Sequence, residues 1–574
     1  MKAKKILALL LACAIMLGLA ACGGNGGNAG NNNGGNTGNN GNNGGNVEVK
    51  IPDYINTESQ MPIVKEGTDI TLDVMIVNGP MYANMDSIRD VYFTQAYEKK
   101  TGVKINWIEV SSDAFADQLA LKLTTNDLPD IILKGGVSNS SQLKYGEQGY
   151  FLNLMQNNML QTYAPNYWAL CQQYPEILSA SMMPDGSVYS LGMVRNSTGS
   201  SIASKTFINK DWLAAVNMDV PTTSDEFYNM LKAFKNDDPN GNGKADEIGL
   251  YLKPDHLQYI TFGMFGIGNR GANNGYIDWD KENECVRYFA TSEGFREWVQ
   301  WVRKLYQEGL LNQEYFDFTE SNLGNYVNQN QCGVFAYNNL CMLGEETQQK
   351  FTYLDGALVG PHGDKDYYAT NSIGTTGAYI ITTACEYPEV ALRWADYFFC
   401  DEGSLFFYFG EEGVTFDALP DGTYKFNDTV LADFHSGKNS YDGCAVYVSL
   451  YGYGNTPTMT KVPFNSADDN KGIALEAAKA LIDDCAIAWP AFTFTKKEQR
   501  IIEDNKADID KYVAGMRDSW IMGTTELNDQ TWQQFVDTVN RMGIQDVLEV
   551  YEAALQRAYD SGLKEGFHSL DEFN

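Results

Sequence analysis

Between residues 238 and 247 the chain reads Asp238-Pro239-Asn240-Gly241-Asn242-Gly243-Lys244-Ala245-Asp246-Glu247. Side-chain oxygens recur at alternate positions, on Asp238, Asn240 and Asn242, and Gly243 stands where a tight loop must turn. A hard cation needs six to eight oxygen ligands at about 2.4 Å, and alternate side chains on such a loop deliver them. Lys244, at the seventh position, would offer its backbone carbonyl, and Asp246 occupies the ninth. The twelfth position, where a bidentate glutamate usually closes the shell, is Gly249. The spacing predicts a structural calcium ion, with a plain solvated Asn/Gly turn as the competing reading.

A second chemical signal lies near the start. Lys2, Lys4 and Lys5 precede an apolar run over Ile6–Leu19, and Leu19-Ala20-Ala21 is followed by Cys22. A basic start, an apolar core and small residues before a break describe a secretory leader over residues 1–21. A cysteine directly after the break looks like the bacterial lipobox, in which Cys22 receives acyl chains that anchor the protein. Residues 22–46 then supply a tether: apart from Cys22, Ala29 and Thr37 they are all Gly or Asn. Nothing in that stretch can bury enough surface to offset ordering.

Catalytic patterns are missing from the sequence. The four histidines, His256, His362, His435 and His568, stand in no HExxH, HxxEH or triad context, and neither a GxSxG elbow nor a P-loop occurs. Two carboxylates for glycoside hydrolysis could be imagined anywhere among 74 acidic residues, so that signal is empty. The chain is expected not to be an enzyme. Its net charge of −32, or −35 without the three leader lysines, argues against nucleic acid as a partner. Eight cysteines remain beyond Cys22, too dispersed for a metal cluster or a stapled scaffold, and disulfides and buried thiols both stay open.

About 530 residues beyond the tether are too many for one ordinary core and predict two lobes. Leu72–Val77, Val103–Val110 and Leu128–Leu133 read as strands, with helical spacing over Val91–Lys100 and Ala114–Thr124 between them. That alternation is the mark of an α/β fold with a parallel sheet. Further helices are predicted over Ile208–Met218, Ser224–Phe234 and Phe295–Glu308, and strands over Gly333–Tyr337 and Ala378–Thr382. The C-terminal quarter is mostly helical, over Gly472–Asp483, Glu498–Met516, Thr531–Met542 and Gln545–Ser561. Trp298 and Trp301 share the apolar face of the Phe295 helix and are expected in the core. Ligands of parallel sheets gather at the carboxyl ends of strands. That rule selects Asn78 and Tyr82 after the first strand, and Lys134 and Ser138 after the third.

Several tags now fall in order along the chain. They are Lys100-Thr101-Gly102-Val103, Asp127-Leu128-Pro129-Asp130-Ile131-Ile132, Tyr145-Gly146-Glu147-Gln148-Gly149, Pro184-Asp185-Gly186, Ile208-Asn209-Lys210-Asp211-Trp212-Leu213, the Asp238 loop and Gly410-Glu411-Glu412-Gly413-Val414. In this series the chain resembles the family 1 extracellular solute-binding lipoproteins of ABC importers, oligosaccharide type. It is nearest the long subgroup that includes alginate-oligosaccharide-binding proteins. The resemblance implies a periplasmic-binding-protein-like fold with the ligand in a cleft between two α/β lobes. The expected division is 47–194 plus 372–418 for the first lobe and 195–371 plus 419–574 for the second. It also implies that Glu247, beside Asp246, replaces the missing twelfth ligand of the calcium loop. Cleft residues are expected at Tyr337, Asn338 and Asn339, and an aromatic platform at Trp489 and Phe492. The implied role is a monomer on the outer face of the cell membrane that delivers an oligosaccharide to permease subunits. A carbohydrate sensor coupled to a signalling ectodomain, or a secreted carbohydrate-active enzyme, are the alternatives.

Overall fold

The structure, a computed structural model, describes residues 50–563 apart from 79–86, 203, 341–342, 368–371, 439–440, 446–447, 449–455 and 462–468. Two sheets organise it. The first has β1 (Thr71–Asn78) between β2 (Lys104–Ser111) and β3 (Ile131–Leu133), all parallel. Leu72, Val74, Met75 and Ile76 of β1 are all buried, as a strand covered on both faces requires. The helices Tyr92–Thr101 and Phe115–Thr125 form the crossovers expected from the sequence. Gly102, in the left-handed region at φ 71°, ends the first of them and turns the chain into β2.

The second sheet contains β5 (Lys205–Asn209), β6 (Ile248–Leu250), β7 (Cys332–Tyr337) and β8 (Phe351–Tyr353), in the order β8-β5-β7-β6. The first sheet is completed on its other side by β9 (Tyr379–Ile381), antiparallel to β3, and then by β4 (Ser190–Leu191), which pairs antiparallel with β9. The chain thus leaves the first sheet after β4, builds the second, and returns for β9.

Ile208 does not begin a helix as its spacing predicts. It lies in β5, where it pairs with Val334 and Thr352. The helix starts at Lys210, because the Asn209 side chain accepts from the backbone N–H groups of Asp211 and Trp212. The helix Glu293–Gln307 holds Phe295, Trp298, Val299, Val302 and Leu305 inside. Trp301 is half-buried against Phe227 and Phe265. The helices Lys496–Met522, Asp529–Arg541 and Ile544–Asp560 close the second lobe, the first of them opened by a Thr495/Glu498 capping box.

One expected boundary needs correction. Residues from 419 onward do not all join the second lobe as expected: Phe426, Leu431, Cys444, Ala445, Val448 and Met459 pack in the core under the first sheet. Their burial against Tyr397–Phe409 carries the first lobe about forty residues further. Helix Asp469–Leu481 is where the second lobe resumes, with Ala478 and Leu481 in its core.

Candidate functional site

The Asp238 loop joins the helix Ser224–Asn236 to β6. Both flanks are firmly held, the helix by a Thr223/Glu226 capping box and β6 by parallel pairing of Ile248 with Cys332. Asp238 sits at φ 47° and its carboxylate accepts from the backbone N–H groups of Asn242 and Gly243 at 3.1 and 3.0 Å. Asn240 and Asn242 accept from the N–H groups two residues on, at 3.0 and 2.7 Å. These turns wrap the backbone around the side-chain oxygens. Asp246 gathers the amides of Asn240, Asn242 and Gln331 at 2.8–3.1 Å. Those hydrogen bonds, Asn242 first, hold its carboxyl below the usual range.

Glu247 behaves oppositely. Burial, with the Asp238 and Asp246 carboxylates adding to it, pushes its carboxyl up. Its Oε1 is buried with no hydrogen-bond partner. A buried carboxylate oxygen facing two like charges is what a cation would relieve. Among the described residues no three His, Cys, Asp or Glu side chains are disposed to hold a metal by themselves. The oxygen-bearing groups of the loop are mixed, the Asn240 and Asn242 amides standing beside the Asp238 and Asp246 carboxylates. Gly249 explains the absent twelfth ligand: a Cβ there would lie 3.2 Å from the carbonyls of both Leu231 and Leu310. A glutamate in that strand would have to push both carbonyls back by a few tenths of an ångström.

Three extended segments cross between the lobes and meet at Val194. It forms single bridges with Gly374 and with Met459. Its N–H donates to Thr458 at 2.9 Å, its carbonyl accepts from Thr460 at 2.9 Å, and the neighbouring Arg195 N–H donates to Ile373 at 2.7 Å. Gly192 and Gly374 permit this approach, since a Cβ on either would lie 1.9 Å from the Thr375 carbonyl or 2.6 Å from the Ile177 Cα.

Beside this crossing lies a cavity of about 450 Å³. The first lobe contributes Gly136–Ser140, Thr375 and Thr376, the crossing contributes Arg195, Ser372 and Gly374, and the second lobe contributes Asn273, Phe492, Phe494 and Gln499. Its volume falls in the range of small-molecule sites. The lobes touch around it: Asn139 donates to the Ala491 carbonyl at 3.1 Å, Thr493 to Met182 at 3.0 Å, and Lys496 pairs with Glu147 at 2.6 Å. A smaller cavity, about 330 Å³ near Tyr174, Phe399 and Lys461, touches only the first lobe and the crossing.

Of the residues selected from sequence, Ser138 and Phe492 line the larger cavity. Ser138 also caps the helix Asn139–Glu147. Lys134, at φ 59°, is buried just after β3, and burial pushes its amine down to about 8. Asn78 ends β1. Tyr82 lies outside the described residues. Tyr337 ends β7 and packs 5.9 Å from the His256 ring, whose imidazole burial pushes down to about 4. Asn338 accepts from the buried Lys205 amine through Oδ1 and its carbonyl, at 2.9 and 3.0 Å, and Asn339 is buried beside it.

Trp489 is not an open platform. It is 1% exposed, wedged between Trp279, Phe492 and the Arg270 guanidinium, and it does not line the cavity. Phe492 and Phe494 supply the aromatic wall instead. Sequence reasoning missed Arg195, Asn273, Thr375 and Gln499. Their only local signal is polarity in segments that read as connections.

The family model for bacterial extracellular solute-binding proteins matches residues 82–404. The chain is 24% identical over 552 residues to the fructooligosaccharide ABC transporter substrate-binding protein FusA of Streptococcus pneumoniae, covering 89% of this chain and 93% of that one. A solved structure of S. pneumoniae FusA, an EF-hand mutant in complex with fructo-nystose, superimposes with a TM-score of 0.69 at 22% identity, covering 86% of this chain and all of the other. Alginate-binding protein AlgQ2, solved without calcium ion, gives 0.65 at 21% identity, with 86% and 99% covered. These likenesses establish the two-lobe solute-binding fold.

Proposed function

The chain belongs to the bacterial extracellular solute-binding proteins, and from that premise we propose that it captures an oligosaccharide and hands it to an ABC-type membrane permease. The observation that carries this is the interlobe cavity, with two phenylalanines on one wall and hydroxyl and amide groups on the others. Sugar rings lay flat C–H faces on aromatic rings while their hydroxyls exchange hydrogen bonds with Ser, Thr, Asn and Gln. Rotation about the Val194 crossing brings the lobes together over the ligand, a shift between open and closed populations. The permease reads the closed form. FusA, named for fructooligosaccharide, supports the ligand class.

A glycan array against the soluble form lacking Met1–Asn46 tests the ligand class, followed by calorimetry with the glycans retained. Phe492→Ala should weaken that binding by about 1–3 kcal/mol, the usual loss for an aromatic anchor. The proposal fails if no glycan gives heat while a peptide or simple ion does.

The first lobe is proposed to span residues 47–194 and 372 to about 461, the second 195–371 and the remainder. Asp238, Asn240, Asn242, Lys244, Asp246 and Glu247 are proposed to hold calcium as a structural ion that neutralises repelling carboxylates. The EF-hand of FusA and the calcium ion named for AlgQ2 support this. Cys22 is proposed to carry the lipid anchor, and no helix among the described residues is long and apolar enough to cross a membrane. Cys22→Ala should release the protein into the medium or stall its processing. Unchanged fractionation with membranes would reject the anchor.

A further inference from the structure

We propose that the oligosaccharide taken by this cleft carries carboxylate groups, and that Arg195 is the residue that reads them. The inference rests on the binding role proposed above and adds the chemical class of the ligand.

The charge of the cavity wall is the first observation. The chain has 74 acidic residues against 42 basic ones. Among the described residues lining the cavity none is acidic, and Arg195 is the one charged side chain. A neutral sugar is all hydroxyl, and each hydroxyl has a proton to donate. Sites for such ligands profit from carboxylate acceptors, which are stronger than neutral ones. The described residues of this wall offer no carboxylate, although acidic residues are the commonest charged groups in the protein.

The second observation is the state of Arg195 itself. Its backbone is pinned in the crossing by the N–H bond to Ile373, so the side chain has a fixed origin. Its guanidinium has five N–H donors and donates none of them to a described residue, nor does it form an ion pair. Burial pushes its ionisation down to about 10, with Tyr408 as the counteracting neighbour. It stays cationic at neutral pH, half-buried and with no carboxylate beside it among the described residues. A partly desolvated cation of this kind gains most from an anion that arrives with the ligand, and the guanidinium fork matches a planar carboxylate with two parallel hydrogen bonds.

A third feature points the same way. The nine-residue helix Asn139–Glu147 begins at the cavity, with Ser138 as its cap and Gly136–Ser140 on the wall. Its N-terminal end adds positive potential to that of Arg195. The large negative net charge does not override this local field, because charges further than roughly 8–10 Å apart are screened at physiological salt.

The test uses the soluble form and three uronate oligosaccharides: trigalacturonate, triguluronate and a hyaluronan tetrasaccharide. Each is titrated beside its carboxyl-reduced, neutral counterpart. At least one acid should bind about 10–100-fold more tightly than its counterpart, as the loss of a charged hydrogen bond implies. R195Q should erase that difference, R195K should keep part of it, and added salt should weaken the acid alone. Melting curves of both variants establish that they fold. Equal or tighter binding of the neutral sugars overturns the charge assignment and leaves the oligosaccharide reading standing. An acid preference that survives R195Q overturns the role of Arg195. If neither these sugars nor any glycan on a neutral array binds, the oligosaccharide reading itself falls, and this inference with it.

Discussion

Trp298→Ala is expected to lower stability by about 3–5 kcal/mol, the range for emptying a buried aromatic site. The ring is fully buried, lies edge-on to Phe262 at 4.6 Å and stacks on Phe295 at 5.7 Å. Its Nε1 donates to Thr261 at 2.8 Å, and that bond is lost as well. Trp489→Ala should behave in the same way, since it is equally enclosed. Trp301→Ala should cost clearly less, because part of that ring already meets water. Denaturant unfolding of the three variants makes the comparison. If Trp489→Ala leaves the unfolding midpoint unchanged while weakening glycan binding, its place is in the cleft and not the core.

Chelation is expected to produce the second large effect. A ligand present at 100 times its dissociation constant stabilises the folded state by about 2.7 kcal/mol, which for a domain of some 150–250 residues corresponds to several degrees in Tm. A chelator should therefore lower the melting temperature by that amount, and Asp238→Ala with Asp246→Ala should remove the response. Elemental analysis before and after chelation completes the measurement. An unchanged curve, in protein shown to have lost all metal, would remove calcium from this loop.

The parts of the molecule that were legible in its sequence are those settled by neighbours close along the chain. β1 and its crossover helices show as an apolar run, a turn and a helical period, and β2 and β3 follow at short distances. The turns of the Asp238 loop are legible for the same reason, since its side-chain oxygens are set by spacing alone. β5 was not. Ile208, Trp212 and Leu213 share a helical period, and only pairing with β7 and β8, more than a hundred residues further on, makes a strand of Lys205–Asn209. The cleft was legible least of all. Arg195 acquires its setting from Ile373, and Phe492 faces the cavity while Trp489, three residues earlier, turns inward. Composition gives the same aromatic character to both.

Gly249 has a wider meaning for the loop that precedes it. In sensor proteins built on this type of loop, the twelfth residue is a long carboxylate that works as a lever: binding the ion drags it, and the element attached to it swings. Here that position is a side-chain-free point of a strand, clamped between two carbonyls and hydrogen-bonded into a sheet. There is no arm to pull and no hinge for it to turn. A cation held by the loop would be mechanically silent, a rivet with no message to pass on, and news of a captured ligand would have to travel through the motion of the lobes alone.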